Sequence, residues 1–135
     1  MERFGKWYEA EGVLRYSANY LVVDVEQDLA DFYKALVPKY YKINRQRYPA
    51  HITVVRAGLE EPAKTEYWKK YDGEIVKFQY NSDIKMSEFY YWLDVLCKRL
   101  EYIREELGLS NISTYTRPPD GFSKYFHITI GNKKE

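Results

Sequence analysis

The chain carries one short polar pattern twice. His51-Ile52-Thr53 and His127-Ile128-Thr129 contain the only two histidines among its 135 residues. Each tripeptide opens a short run of strand-forming residues, at 51–56 and 127–132. Because side chains alternate between the two faces of a strand, each histidine shares a face with its threonine and the isoleucine points the opposite way. The sequence therefore predicts two half-buried strands with matching polar frames.

The surroundings of this pattern are duplicated as well. An apolar run at 20–25, which contains Asp24, precedes a helical stretch and the first His-Ile-Thr. A similar run at 91–95, which contains Asp94, precedes a second helical stretch and the second His-Ile-Thr. The two aspartates are 70 positions apart and the two histidines 76. We expect two strand–helix–strand units, related by a pseudo-two-fold axis, that bring both histidine strands to one cleft.

Two imidazoles facing one cleft suit chemistry on a phosphate. Imidazole titrates near neutral pH, so one of His51 and His127 can take a proton from water or a ribose hydroxyl while the other gives one to the leaving oxygen. Either histidine can fill either role. Thr53 and Thr129 can donate hydrogen bonds to the non-bridging oxygens. The sequence has no metal-ligand spacing and no cofactor motif, so we expect neither a metal nor a cofactor.

The paired His-x-Thr strands resemble the signature of the 2H phosphoesterase superfamily. The resemblance covers roughly residues 16–132, and the segments 68–73, 88–94 and 97–108 are similar to a small, phage-associated branch of that superfamily. It implies an α+β, LigT-like fold in which two pseudo-symmetric strand–helix–strand lobes with antiparallel sheets surround a central cleft.

The same resemblance implies an activity. Such proteins hydrolyse, without a metal, a phosphodiester bond in a nucleotide, a cyclic nucleotide or oligonucleotide signal, or a short oligonucleotide. Destruction of a host cyclic nucleotide defence signal is a role implied by analogy alone. Two alternatives stay open: processing of RNA ends that carry a 2',3'-cyclic phosphate, and a non-catalytic nucleotide-binding module.

Six further residues are predicted to bind the substrate around the two histidine strands. Trp7 and Tyr8 belong to a polar amino-terminal segment and are suited to stacking on a base. Arg117 lies in the long loop at 110–124, which we expect to form a lid or rim, and an arginine there can pair with a second phosphate. The other three are close in sequence to the histidine strands: Tyr48, Lys124 and Tyr125.

Composition and charge narrow the class of partner. With 45% hydrophobic residues, residues 1–135 are predicted to form a single domain. The 21 basic and 20 acidic residues leave a net charge of +1, which lacks the basic excess expected for binding long duplex nucleic acid. The single cysteine, Cys97, suits a reducing compartment. We find neither a secretory signal nor an apolar run of the ~18 residues that a membrane span needs, so we expect a cytoplasmic protein, in the host cytoplasm if phage-encoded.

Periodicity predicts the remaining elements. We expect helices at 26–41, 60–71 and 98–107, with Pro38 and Gly108 marking two of the helix ends. We expect an edge strand at 12–17. Two further strands, at 74–80 and 88–96, are expected to pair antiparallel.

Overall fold

The computed structural model describes residues 5–38, 41–56, 59–111, 116–118, 120 and 124–133. Within these residues the chain forms seven strands and two helices. The strands are β1 Trp7–Tyr16, β2 Leu21–Asp24, β3 His51–Val55, β4 Ile75–Asn81, β5 Lys85–Met86, β6 Tyr90–Leu96 and β7 Phe126–Asn132. The helices are α1 Gln27–Leu36 and α2 Lys98–Glu106.

The strands form one antiparallel sheet that closes on itself. Their order is β4-β1-β2-β3-β7-β6-β5, and every neighbouring pair is antiparallel. β4 also pairs with β6 through Gln79 with Leu96 and Tyr80 with Val95, which closes six of the strands into a barrel. The short β5 adds to β6 outside this closed set. The predicted α+β class is confirmed.

The two faces of the sheet differ in burial, as the alternation in the sequence predicted. In β3, Ile52 and Val54 have no exposed surface, whereas His51 and Thr53 are half-buried. β7 shows the same alternation. The buried face shares one hydrophobic core with the apolar sides of α1 and α2, and removal of this surface from water is the main driving force for the fold. The polar frames are therefore presented by a rigid, well-packed sheet.

Pro38 and Gly108 lie just beyond the two helix ends, as the sequence predicted, although the first helix is shorter than the expected range 26–41. α1 ends at Leu36, two residues before Pro38, which cannot continue a helix. After α2, Gly108 adopts a φ of +86°, a conformation that favours glycine. Its N–H donates to the carbonyl oxygen of Glu105, and the N–H of Leu109 donates to that of Arg104, so the last carbonyls of the helix are satisfied.

Strand pairing repeats the duplication seen in the sequence. In the β2–β3 ladder Asp24 lies directly opposite His51, and in the β6–β7 ladder Asp94 lies directly opposite His127. The aspartates are thus the cross-strand partners of the two histidines in these two ladders. The order strand, helix, histidine strand is the same in both halves.

Both ladders also contain a bulge at the same place. β3 has one extra residue, Val54, opposite the step from Leu21 to Val22. β7 has one extra residue, Ile130, opposite the step from Tyr91 to Trp92. A bulge bends its strand and increases the local twist. Since each bulge follows directly on a histidine and its threonine, the two polar frames have the same local backbone geometry.

Two predicted elements are wrong. The strand expected at 12–17 on a sheet edge is β1, which begins earlier and has β4 on one side and β2 on the other. The helix expected at 60–71 is only a single 3-10 turn at Thr65–Tyr67. Trp68 explains the second error, because its indole N–H donates to the carbonyl oxygen of Ser17 at 3.0 Å and its ring packs edge-on against Tyr16. Tertiary contacts override helix propensity here.

A buried ion pair fixes α2 against the end of β3. The Nη2 atom of Arg104 lies 2.7 Å from Oε2 of Glu60, and the Arg104 side chain has no exposed surface. The guanidinium also donates to the carbonyl oxygens of Val54 and Ser110, at 2.7 Å each. This one side chain therefore links α2 both to β3, at Val54, and to Ser110, the first residue of the loop that follows α2.

We expect Glu60→Gln to lower the free energy of unfolding by ~3 kcal/mol, because it leaves the charge of Arg104 in a dry site without its carboxylate. Urea denaturation at neutral pH measures this change. The matched control is Glu74→Gln, which breaks the partly exposed pair with Arg99 and should cost at most ~1 kcal/mol. Equal losses in the two variants would show that the buried pair does not have this anchoring role.

Candidate functional site

The two histidine strands are neighbours in the sheet. β3 and β7 pair antiparallel, with Ile52 opposite Ile128. Each of these two isoleucines is flanked in its strand by a histidine and a threonine, so the four polar residues surround the paired position on the face away from the core. Cβ atoms of residues directly opposite are about 5 Å apart, and those of diagonal neighbours such as the two histidines about 7–8 Å. We call these four residues the histidine–threonine cluster.

Both imidazoles are held in the same way by backbone carbonyls. Nδ1 of His51 lies 2.8 Å from the carbonyl oxygen of Pro49, and Nδ1 of His127 lies 3.1 Å from that of Thr116. A carbonyl oxygen can only accept, so Nδ1 carries the proton in each ring. The second nitrogen, Nε2, is then the basic atom of the neutral imidazole. Both histidines are thus fixed in the tautomer that offers Nε2 to a substrate.

The electrostatic environment of His127 keeps this ring neutral. Burial, the largest influence, lowers its pKa from 6.5 to about 4. The hydrogen bond to Thr116 and the charge of Asp120 act in the opposite direction, while the positive charge of a protonated His51 lowers the pKa further. The two rings therefore interact electrostatically, and at neutral pH His127 is able to accept a proton.

Two of the predicted aromatic residues contact each other. The ring centroids of Trp7 and Tyr125 are 5.6 Å apart. Tyr125 precedes His127 by two residues, whereas Trp7 begins β1, which is separated from β7 by β4 and β6 on one side of the barrel. The fold thus places an exposed indole beside the residue that precedes the second histidine strand.

Tyr8, also predicted to bind the substrate, packs against another tyrosine. It lies one residue after Trp7 in β1 and therefore on the opposite face, where its ring packs at 5.9 Å from that of Tyr80. Tyr48 is 65% exposed, three residues before His51, and the guanidinium of Arg47 lies over its ring. Lys124 is exposed next to Tyr125.

Arg117 has an unusual environment for an arginine. It directly follows Thr116, whose carbonyl oxygen accepts the hydrogen bond from His127. Its Nε atom is buried and has no hydrogen-bond partner among the residues that the structure describes, and a buried unsatisfied donor is costly in the absence of a ligand. Arg117 is accordingly well suited to bind an anion next to His127. Of the predicted lid loop, residues 112–115, 119 and 121–123 lie outside the described residues.

Sequence reasoning missed four charged residues near the cluster. Asp24 and Asp94 lie opposite the histidines, and they form ion pairs with Arg15 and Lys85 respectively. A signal was present, because Arg15 and Lys85 are 70 positions apart, as the two aspartates are. Without strand pairing, nothing distinguishes these two cations from the other basic residues of the chain.

Comparisons with protein families, with curated proteins and with solved structures give no significant match for this chain. Among the described residues, no group of three or more His, Cys, Asp and Glu side chains is arranged to hold a metal ion. No helix in the same part of the chain is long and apolar enough to cross a membrane.

The lowered pKa of His127 has a measurable consequence for stability. Between about pH 6.5 and 4 the unfolded chain binds a proton at His127 that the folded chain does not, so stability falls as the pH falls through this window. We expect the free energy of unfolding to decrease more between pH 7 and 4.5 in the wild type than in His127→Gln. A wild-type imidazole whose NMR titration midpoint lies near pH 6.5 would contradict the environment described above.

Proposed function

We propose that this chain is a metal-independent phosphodiesterase of the 2H type that hydrolyses a phosphodiester bond in a nucleotide or a short oligonucleotide. The observation that supports the proposal is the pairing of β3 with β7 at Ile52 and Ile128, since it makes the two His-Ile-Thr strands neighbours in the sheet. A net charge of only +1 favours a small anionic substrate over a long duplex. Nucleotide substrates of this kind are consistent with a cytoplasmic protein.

The proposal includes the two-lobed 2H fold. One lobe comprises β2, α1 and β3, and the other comprises β6, α2 and β7, with the histidine–threonine cluster in the cleft between them. Support comes from the repeated pairing of an aspartate with a histidine and from the two equivalent bulges. The β4–β6 pairing closes the barrel and has no counterpart in the symmetry that relates the two lobes.

In this proposal, the environments of the two rings assign one as the proton acceptor and the other as the proton donor. Neutral His127 accepts a proton through Nε2 from water or from a ribose hydroxyl, and the oxygen so activated attacks phosphorus. The bond between phosphorus and the leaving oxygen breaks, and His51 donates a proton to that oxygen. Binding of the negatively charged phosphate raises the pKa of His127 towards neutrality, which improves it as a base. Two imidazoles supply both proton transfers, so the mechanism requires no metal ion.

The other residues of the site bind the substrate in this scheme. Thr53 and Thr129 share the face of the histidines and donate hydrogen bonds to the non-bridging oxygens as negative charge develops. Arg117, with its unpartnered Nε atom, binds a phosphate oxygen next to His127. The exposed surface of Trp7, which is supported by Tyr125, offers a base a ring on which to stack.

We expect the purified protein to cleave at least one member of a panel of cyclic mononucleotides, cyclic di- and trinucleotides, 2'-5' oligoadenylate and RNA with a 2',3'-cyclic phosphate end, in the presence of EDTA. On that substrate, His51→Ala and His127→Ala should each lower kcat by ~10²–10⁴-fold, the usual contribution of general acid–base catalysis. Product formation followed by chromatography measures this. Loss of turnover in EDTA that a divalent metal restores would contradict the mechanism.

Threonine variants provide the matched comparison. Thr53→Val and Thr129→Val keep the shape of the side chain and remove one hydrogen-bond donor, so we expect smaller losses than for the histidines. Thr65→Val, in the exposed 3-10 turn, should have no effect. A wild type that binds nucleotides but cleaves none of the panel would identify a binding module instead, and equal activity of the wild type and both histidine variants would make the His-Ile-Thr strands purely structural.

A further inference from the structure

The two ion pairs beside the histidine–threonine cluster are duplicated in position as well as in type. Arg15 and Asp24 are nine positions apart in the sequence, and so are Lys85 and Asp94. In each half the cation lies on the strand that precedes the aspartate strand, β1 in the first half and β5 in the second. The same arrangement therefore flanks both histidines.

Strand register places each cation level with a threonine of the cluster. Across β1, β2 and β3, Arg15 lies opposite Val22, which lies opposite Thr53. Across β5, β6 and β7, Lys85 lies opposite Trp92, which lies opposite Thr129. Cross-strand partners share a face, and neighbouring strands are about 4.8 Å apart. The backbone of each basic residue therefore lies about 10 Å from the backbone of its threonine. One cation stands on each side of the cluster, on the same face.

Both head groups are fixed in place and still have donors to offer. Nε and Nη2 of Arg15 bind the two oxygens of Asp24 at 2.7 and 3.0 Å, and Nη1 donates to Tyr20. That uses three of the five N–H donors of a guanidinium. Nζ of Lys85 lies 3.2 Å from Asp94, one bond of the three that an ammonium can donate. The side chains of Arg15 and Lys85 are 50% and 39% exposed, so an anion in solution can reach them.

The Arg15–Asp24 pair joins two partly exposed side chains and contributes little to folding, because water screens the charges and ordering the side chains costs entropy. In the second pair Asp94 is buried, but Lys85 remains partly exposed. Both carboxylates turn towards the cation of the next strand; Asp94 also accepts a hydrogen bond from the indole of Trp92 at 3.0 Å. Each aspartate thus holds a positive charge at a fixed distance from the cluster. A charged group that is already held in place loses little entropy when a ligand binds.

We propose that Arg15 and Lys85 form a symmetric pair of anion subsites, each oriented by its aspartate, that bind phosphates on either side of the phosphate held by the histidine–threonine cluster. The inference rests on the proposed function. It narrows the substrate class to short oligonucleotides that carry a phosphate on both sides of the scissile one, and it disfavours nucleotides with a single phosphate.

The test compares ligands with one and with three phosphates. Isothermal titration calorimetry in the His51→Ala background, where a ligand stays intact, measures binding of adenosine 5'-monophosphate and of linear triadenylate with a 5'-phosphate. We expect the triadenylate to bind more tightly. Arg15→Gln and Lys85→Gln should each weaken it about tenfold and change the monophosphate less than twofold. Each should also reduce the slope of log affinity against log salt by ~0.7.

The chain offers matched controls. Arg99 of α2 binds Glu74 through the same two guanidinium atoms with which Arg15 binds Asp24. Lys70 pairs with Glu106 of α2 at 3.1 Å. Neither pair lies on the two histidine strands. Arg99→Gln and Lys70→Gln should leave both affinities unchanged. Lys85→Arg, which keeps a cation beside Asp94, should restore triadenylate binding, and unchanged melting temperatures would show that the variants are folded.

The inference and the proposed function fail differently. If triadenylate binds no better than the monophosphate, or if Arg15→Gln and Lys85→Gln weaken both ligands equally, the paired subsites are overturned even if the protein is an active phosphodiesterase. If the wild type cleaves nothing but the two cations still discriminate between the ligands, the subsites stand and the chain is a binding protein.

Discussion

The site depends on the contact between two strands that are distant in sequence. β3 and β7 pair with Ile52 opposite Ile128, and both isoleucines are completely buried. Burial of one face fixes the register, because a slip by one residue would turn the isoleucines to solvent and the histidines into the core. Burial of the two isoleucines thus positions the polar side chains on the opposite face of the strands. Every relation between His51, Thr53, His127 and Thr129 follows from this pairing.

The remainder of the sheet reinforces that pairing symmetrically. Each histidine strand has an aspartate strand as its other neighbour, with a bulge at the equivalent step and a cation on the strand beyond. The two histidine strands thus have equivalent neighbours and equivalent bulges. The buried pair of Arg104 with Glu60 holds the end of β3 and the start of the segment leading to β7 to the same helix.

The halves are equivalent in backbone but differ in environment. Both rings donate Nδ1–H to a carbonyl, yet the carbonyl for His51 comes from Pro49, two residues away, and that for His127 from Thr116, eleven residues away. Burial lowers the pKa of His127. The two matching polar frames therefore differ in where the carbonyl that holds each ring comes from.

The sequence by itself determined the local structure: the alternation of His51 and Thr53 against Ile52, the helix ends at Pro38 and Gly108, and the duplication of the two halves. These depend on residues close together in the chain, whose periodicity and backbone preferences act locally. Only the tertiary structure decided that β1 is an interior strand, that the segment around Trp68 packs as a turn, that Tyr8 packs against Tyr80, and that Trp7 meets Tyr125. It also showed the aspartate-held cations, Arg15 and Lys85. Such contacts join residues tens of positions apart, and the free energy that selects them is that of packing the whole core, which no short stretch of sequence contains.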